Sequence, residues 1–452
     1  MCMKPQIQAC VLVLLCAVSA AAADIELTLL QEVEPPPIPE DVLPADIDES
    51  PFADDPVPEP EIFEQDATTE APCCDYCDIG GSLSDEGCSA CSSIWDEPED
   101  CCDHPEHLWA EVDYLHWWVQ GYAIPPLVTA APIGSSGALN DPNAVILLGN
   151  DRLDGGDRSG GRGRIGWWFD CCETHGLQVE FFGFEREGTR LDVVSSFPDA
   201  ILYRPFFNTD PFNFGPYAQQ ADRISVSTSS QLYSGNALYR HNLKCGFDEC
   251  GCRTYRLDFL AGYRHFRLNE RLDIRETASF GPATFDIADR FRADNQFHGG
   301  ELGVVGNFHR GAWSLELLAK VALGNNHQTV GVRGQEVTTI GALPPTFRNG
   351  GLLAQPTNIR TETQDEFAVL PEVNAEVGYL LTDNLRMTAG YTLLWLSRAV
   401  RPGDQIDPLV DGRFLDPNLV PPFFSPTARP APRFTPSTLW AQGFNVGLEW
   451  RY

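Results

Sequence analysis

From Asp24 to Asp151 the chain contains neither lysine nor arginine. With 31 Lys and Arg against 64 Asp and Glu overall, the acidity of the chain argues against nucleic-acid binding. After the first 23 residues no run of ~20 apolar residues occurs, so a membrane-spanning α-helix is excluded and any crossing must be made by strands. A Gly-rich phosphate loop and a nucleophile motif are also lacking. Of the nine histidines, His298 falls in one expected strand near Ser314 in the next, with no acidic partner. Catalysis and cofactor binding are therefore not expected, and His298 reads as a hydrogen-bonded residue facing the interior.

What is present begins with Lys4, an apolar core from Ala9 to Val18, and Ala21-Ala22-Ala23 before Asp24. This is the layout of a secretory signal cleaved after Ala23. Residues 24–72 are rich in Pro, Glu and Asp, a composition that buries too little apolar surface to offset chain ordering; an extended acidic tether is expected. It reads as a solvated spacer or as an arm for cations, the cell wall or a basic protein partner. Between Asp24 and His107 there are 26 acidic residues, so most of the net charge of -33 belongs to this leader.

Outside the signal the chain has twelve cysteines: Cys73, Cys74, Cys77, Cys88, Cys91, Cys101, Cys102, Cys171, Cys172, Cys245, Cys250 and Cys252. An even number in an exported chain points to disulfides. Cys74-x-x-Cys77 and Cys88-x-x-Cys91 also have the spacing of a four-thiolate zinc site. Export favours disulfides, with residues 73–106 forming a small Cys-rich segment.

From residue 107 the chain becomes aromatic, Gly-rich and alternating, and period-2 alternation marks strands. Phe444, Val446, Leu448, Trp450 and Tyr452 alternate with Asn445, Gly447, Glu449 and Arg451. This last stretch resembles the terminal strand of bacterial outer-membrane barrels. The same pattern recurs near residues 108–118, 162–169, 177–182, 223–243, 255–264, 297–308, 313–323, 367–379 and 385–395. That predicts an all-β, antiparallel up-and-down transmembrane barrel of ten strands, or twelve if 280–292 and 191–207 each hide a hairpin.

Connections after even strands are short (170–176, 244–253, 309–312, 381–384) and those after odd strands are long. Segregated loop lengths fit a barrel with periplasmic turns and extracellular loops. Aromatic girdles are expected at Trp109, Trp167, Trp313, Tyr379 and Trp450 on one side and at Trp118, Phe367, Trp395 and Trp440 on the other. In the 151–157 loop, Asp151, Asp154 and Asp157 offer hard oxygen ligands, and a calcium site competes there with a solvated loop. Charges on a lipid face are costly, so the interior is predicted to hold Glu111, Asp113, Arg164, Glu180, Arg256, Asp258, Arg264, Glu301, Glu316, Lys320, Glu372, Glu376, Arg386, Glu449 and Arg451.

Trp117-Trp118, Ile124-Pro125-Pro126-Leu127-Val128-Thr129, the run Gly160-Gly161-Arg162-Gly163-Arg164-Ile165-Gly166-Trp167-Trp168, Arg204-Pro205-Phe206 and Leu260-Ala261-Gly262-Tyr263-Arg264 together resemble the beta-barrel porin family of planctomycete bacteria. The resemblance covers residues 108–452 and implies an outer-membrane barrel labelled porin, with no catalytic residues to carry over. Its partners would be outer-membrane lipid and, through the terminal strand, the barrel assembly machinery, with the leader in the periplasm. The expected function is passive diffusion of small hydrophilic solutes. The alternative is a structural or surface-binding barrel with a filled lumen, because ten strands fall between a packed interior and an open channel.

Overall fold

The structure is a computed structural model that describes residues 107–170, 173–197, 199–247, 253–415 and 428–452. The chain divides into Met1–Asp75 and Tyr76–Tyr452, and every described residue belongs to the second unit. The expectations for the signal, the tether and residues 73–106 fall outside the described residues, as do all the cysteines except Cys245. Cys245 is disulfide-bonded.

Ten long strands form a closed antiparallel ring: β1 (Leu108–Val119), β2 (Gly156–Trp168), β3 (His175–Phe184), β4 (Arg223–Phe247), β5 (Arg253–Phe280), β6 (Ala283–Arg310), β7 (Trp313–Ile340), β8 (Arg360–Thr382), β9 (Leu385–Val400) and β10 (Pro436–Arg451). Each pairs with the next in sequence, and β10 returns to pair with β1, Trp109 opposite Arg451 and Val119 opposite Ala441. Leu108 and Tyr452 exchange backbone hydrogen bonds of 3.0 and 2.8 Å at the seam. A closed ring leaves no unpaired edge, the condition for strands to lie in a bilayer. The end carrying Leu108 and Tyr452 is called here the near end.

All four even strands before β10 end, and the odd strands that follow them begin, at the near end. At the far end the connection between β5 and β6 is not a long loop. Both strands run on to a two-residue turn, Gly281-Pro282, in which Gly281 adopts φ 59°, the left-handed value that a tight antiparallel turn requires. The stretch 280–292 therefore adds length to two wall strands and no new hairpin. Residues 191–207 contribute instead to Arg190–Val194, laid along the far part of β4, and to Ile201–Asn208. The wall keeps ten strands.

Near the termini the wall is apolar outside and polar inside. Val112, Ile165 and Phe181 point outward with 59% to 70% of their surface exposed, and Leu302, Leu317, Val377, Val446 and Leu448 point outward with 45% to 51%. Trp167, Trp313, Tyr379 and Trp450 ring one margin of this band, and Trp118, Phe367, Trp395 and Trp440 the other, with Trp313 and Tyr379 in edge contact at 4.8 Å. Trp109 is a correction: on β1 it shares the inward face with Glu111 and Asp113, and Arg240 lies over its ring.

Beyond the band the polarity reverses. On β5, Arg267, Asn269, Arg271, Asp273 and Arg275 face out, whereas Phe266, Leu268, Leu272 and Ile274 are fully buried inside. The far connections fold inward to meet them. Ile201–Asn208 pairs with Gly215–Ala221 on one side and Val128–Ala131 on the other, forming a small sheet that extends to Val145–Leu148 and takes Leu409–Val410 in parallel.

Candidate functional site

The lumen is built in layers. Alternation places one side chain in two inside, and a ring of ten strands is narrow enough for those side chains to meet. All fifteen charged residues expected inside face inward. At the near mouth, Asp258 accepts from Arg240 Nε at 2.6 Å and Arg256 Nε at 2.8 Å. Arg256 lies 4.2 Å over the Trp168 ring, and Glu449 accepts from Arg386 and Arg451. A cavity of about 60 Å³ remains here, room for a few water molecules.

The next layer consists of buried ion pairs. Arg164 reaches Glu111 at 2.6 Å, Glu316 at 3.1 Å and Glu376 at 3.2 Å. Arg162 reaches Asp113 at 2.7 Å and Glu376 at 3.3 Å. Across the lumen, Arg264 contacts Glu372 at 2.9 Å and Glu301 at 3.2 Å, while Lys320 contacts Glu180 at 3.0 Å and Glu372 at 3.3 Å. Asn236 and Asn445 donate to Glu180 and Glu376. Glu111, Asp113 and Glu376 bring carboxylate oxygens within 4.8 Å of one another, and Arg162 and Arg164 already pair with all three. Buried charges are tolerable only when paired in this way.

Above the ion pairs lies an apolar layer: Leu115, Trp117, Phe182, Phe184, Leu232, Phe266, Leu268, Phe297, Leu370, Leu394, Leu396 and Leu439 form one buried cluster. Higher still, Tyr122, Ile124, Leu127, Val128, Leu202 and Phe206 from the far connections pack on Ile224, Leu272, Ile274, Phe291, Val330 and Val332 of the wall.

Buried charges fasten these connections to the wall. Arg204 donates to Glu276 at 3.2 Å and to Asp289 at 2.7 Å, and Asp289 also accepts from the backbone amides of Leu352, Leu353 and Ala354. Burial pushes the Glu276 carboxyl up to about 7, with Arg204 opposing the shift and Asp289 adding to it. Arg401 pairs with Glu270 and lies 5.3 Å over the Tyr122 ring. Asn295 exchanges two 2.8 Å hydrogen bonds with the Val400 backbone.

Three sequence expectations change here. Asp154 is buried and accepts hydrogen bonds from Tyr122, Thr189 and Thr228, whereas Asp151 lies exposed on a short strand. Among the described residues the aspartates of that loop form no ligand group. His298 faces outward, bonded to Tyr263 Oη, and sits opposite Asn325 rather than Ser314. Of the residues not anticipated, Arg162 shares the inward face of Arg164 in the same alternation, but glycines on both sides hide the pattern. Arg401 carries no local signal, and Arg204 belongs to a motif, Arg204-Pro205-Phe206, that assigns it no role.

A closed antiparallel ring with an outward apolar band, aromatic margins and a charged interior defines a transmembrane β-barrel. Residues 109–452 match the family described as "Putative beta barrel porin-7", more than half of the chain, and the protein belongs to that family. It is an outer-membrane barrel. No curated protein matches the sequence. Among solved structures, the outer membrane protease OmpT of Escherichia coli is similar at 9% identity with a TM-score of 0.35, covering 77% of this chain and 98% of that one. A FadL homologue of Pseudomonas aeruginosa is similar at 8% identity and a TM-score of 0.20, covering 76% and 89% of the two chains. The toluene transporter TodX of P. putida gives 8% identity and a TM-score of 0.14, covering 77% and 90%. At these scores none of the three bears on activity. No helix among the described residues is long and apolar enough to cross a membrane.

Proposed function

We propose that this barrel is closed to solutes and acts as a membrane-anchored platform whose working surface is its far end, turned outside the cell. The observation that carries this reading is the stacking of two filled layers across the lumen. The ion-pair layer leaves Arg264, Lys320, Glu180 and Glu301 no more than 1% exposed at the side chain. The apolar layer above it buries Leu115, Leu232, Phe266, Leu268 and Phe297 completely. A hydrated solute would have to break the first and then cross the second, which offers it no hydrogen bonds. Passive diffusion, the function expected from the sequence, is thus not the one that the geometry favours.

Fastening also supports the platform reading. Loops tied down by buried Arg204, Arg401 and Asn295 hold one shape, and a fixed shape lowers the ordering cost of binding a partner. The outward orientation rests on the short turns at the near end, the arrangement of bacterial barrels. Liposome swelling with small sugars tests closure: proteoliposomes should swell no faster than empty ones, and swelling graded by sugar size would restore the diffusion reading. Labelling Leu343→Cys, exposed just past the far end of β7, on intact cells with a membrane-impermeant maleimide tests orientation, with reaction expected before lysis.

A further inference from the structure

Beyond the apolar band the outer wall of β4 to β7 is basic, although the chain as a whole carries a net charge of -33. Arg223, Arg271, Arg275, Arg292 and Arg333 are exposed there, with Arg290 half-buried among them. The register sets like charges directly opposite each other: Arg271 faces Arg292 across β5 and β6, and Arg290 faces Arg333 across β6 and β7. Such pairs destabilise a sheet unless something neutralises them. Asp273 answers Arg290 and Asp192 answers Arg223. Among the described residues, Arg271, Arg275, Arg292 and Arg333 make no ion pair. Partial burial and the charge of Arg271 hold the Arg292 guanidinium below its ordinary range.

The same face is grooved. A cavity of about 380 Å³ is lined by Arg223, Ser225, Arg275, Asp286, Arg290 and Gln335, among others. Its position selects the ligand. At ~3.3 Å per residue and a strand tilt near ~40°, Arg271 stands about 20 Å beyond the outward Tyr263 at the edge of the band. That is above the reach of an ordinary lipid headgroup. The face also looks sideways along the membrane rather than up into the medium, so what lies against it is the saccharide layer carried by outer-leaflet lipids.

We infer that this groove and its arginine pairs bind the anionic, phosphate-bearing saccharide chain of an outer-leaflet glycolipid. The guanidinium fork suits phosphate, which it can engage through two parallel hydrogen bonds, and cross-strand arginines spaced along the wall suit a chain bearing several such groups. The inference rests on the far end being outside the cell, as proposed above. Binding would seat the barrel at a fixed depth in its lipid surroundings.

The test uses the full chain in phosphatidylcholine nanodiscs, titrated with deacylated, phosphorylated lipopolysaccharide core oligosaccharide. Binding should weaken at least tenfold in a variant combining Arg271→Ser, Arg275→Ser, Arg292→Ser and Arg333→Ser, and in the unaltered protein when the oligosaccharide is dephosphorylated. Unchanged heat-modifiable gel mobility establishes that the variant is folded, because its substitutions are all at exposed positions. Equal binding by variant and parent overturns the inference. So does equal competition by inorganic phosphate, which would mean adventitious anion binding, or retention on phosphatidylglycerol discs matching that on the saccharide, which would mean headgroup binding. The impermeant maleimide reports separately on sidedness: labelling only after lysis removes the glycolipid as the source even where the oligosaccharide binds in vitro.

Discussion

The two halves of β7 show how one strand serves two solvents. In its first half Leu315, Leu317, Ala319, Val321 and Leu323 face outward while Glu316 and Lys320 face the lumen. In its second half the outward face carries Asn325, His327, Thr329 and Arg333, and the inner face carries Gln328, Val330 and Val332. Nothing in the backbone changes between them, because β7 pairs without a break from Trp313 to Ile340 with β6. What changes is the medium outside the wall. Where that medium is lipid, apolar groups go outward at no cost and the narrow interior fills with charges that satisfy one another. Where it is water, the ordinary rule returns and the interior becomes a hydrophobic core.

The difference can be broken from either side. The largest effect is expected from Arg264→Ala in the near half, which leaves Glu180, Glu301 and Glu372 short of a partner in a buried site. Removing one member of such a group costs ~3 to 5 kcal/mol, readable as lost heat-modifiable mobility or an earlier urea midpoint. Next is Leu317→Arg on the lipid face, expected to cost ~2 to 4 kcal/mol if that position lies near mid-bilayer. It should be compared with Thr329→Arg on the same face of the same strand, beyond the band. That second change should stay within ~0.5 kcal/mol, and equal losses at the two positions would deny the change of medium.

A pH effect is expected in the far half. The Glu276 carboxyl is raised from 4.5 to about 7, so between those values the folded state holds a proton that the unfolded state has released. Far-end stability should therefore be greatest below pH ~4.5 and fall as pH rises through ~7, by at most roughly 3 kcal/mol. Protease resistance of the 201–221 segment across that range measures it, and Glu276→Gln should flatten the profile.

This reversal also explains what could be read from the sequence. Ten strands, closed pairing and the apolar band were legible because near-half segments such as Tyr255 to Arg264 keep one polarity pattern, apolar out and charged in. The far parts of β5 and β6 alternate just as regularly, through Phe266, Leu268, Leu272 and Ile274 on β5 and Ile287, Phe291, Ala293 and Phe297 on β6, but with the opposite sense. A reading tuned to lipid sees a long loop there. The inward-folded far connections were hidden for a different reason: Arg204 pairs with Glu276 and Asp289, 72 and 85 residues away, and Arg401 with Glu270, 131 residues away. Spacing and periodicity carry no trace of such contacts, so Arg204-Pro205-Phe206 stood out as a motif without revealing its role.

Single-channel recording across a planar bilayer tests the central claim most directly, with the unaltered protein compared against a variant thinned in its apolar layer by Trp117→Ala, Phe266→Ala and Phe297→Ala. A filled lumen predicts no steady openings from the unaltered barrel and leak only from the variant. Steady, reproducible conductance from the unaltered barrel would contradict it, and the layered interior would then be a gate rather than a seal.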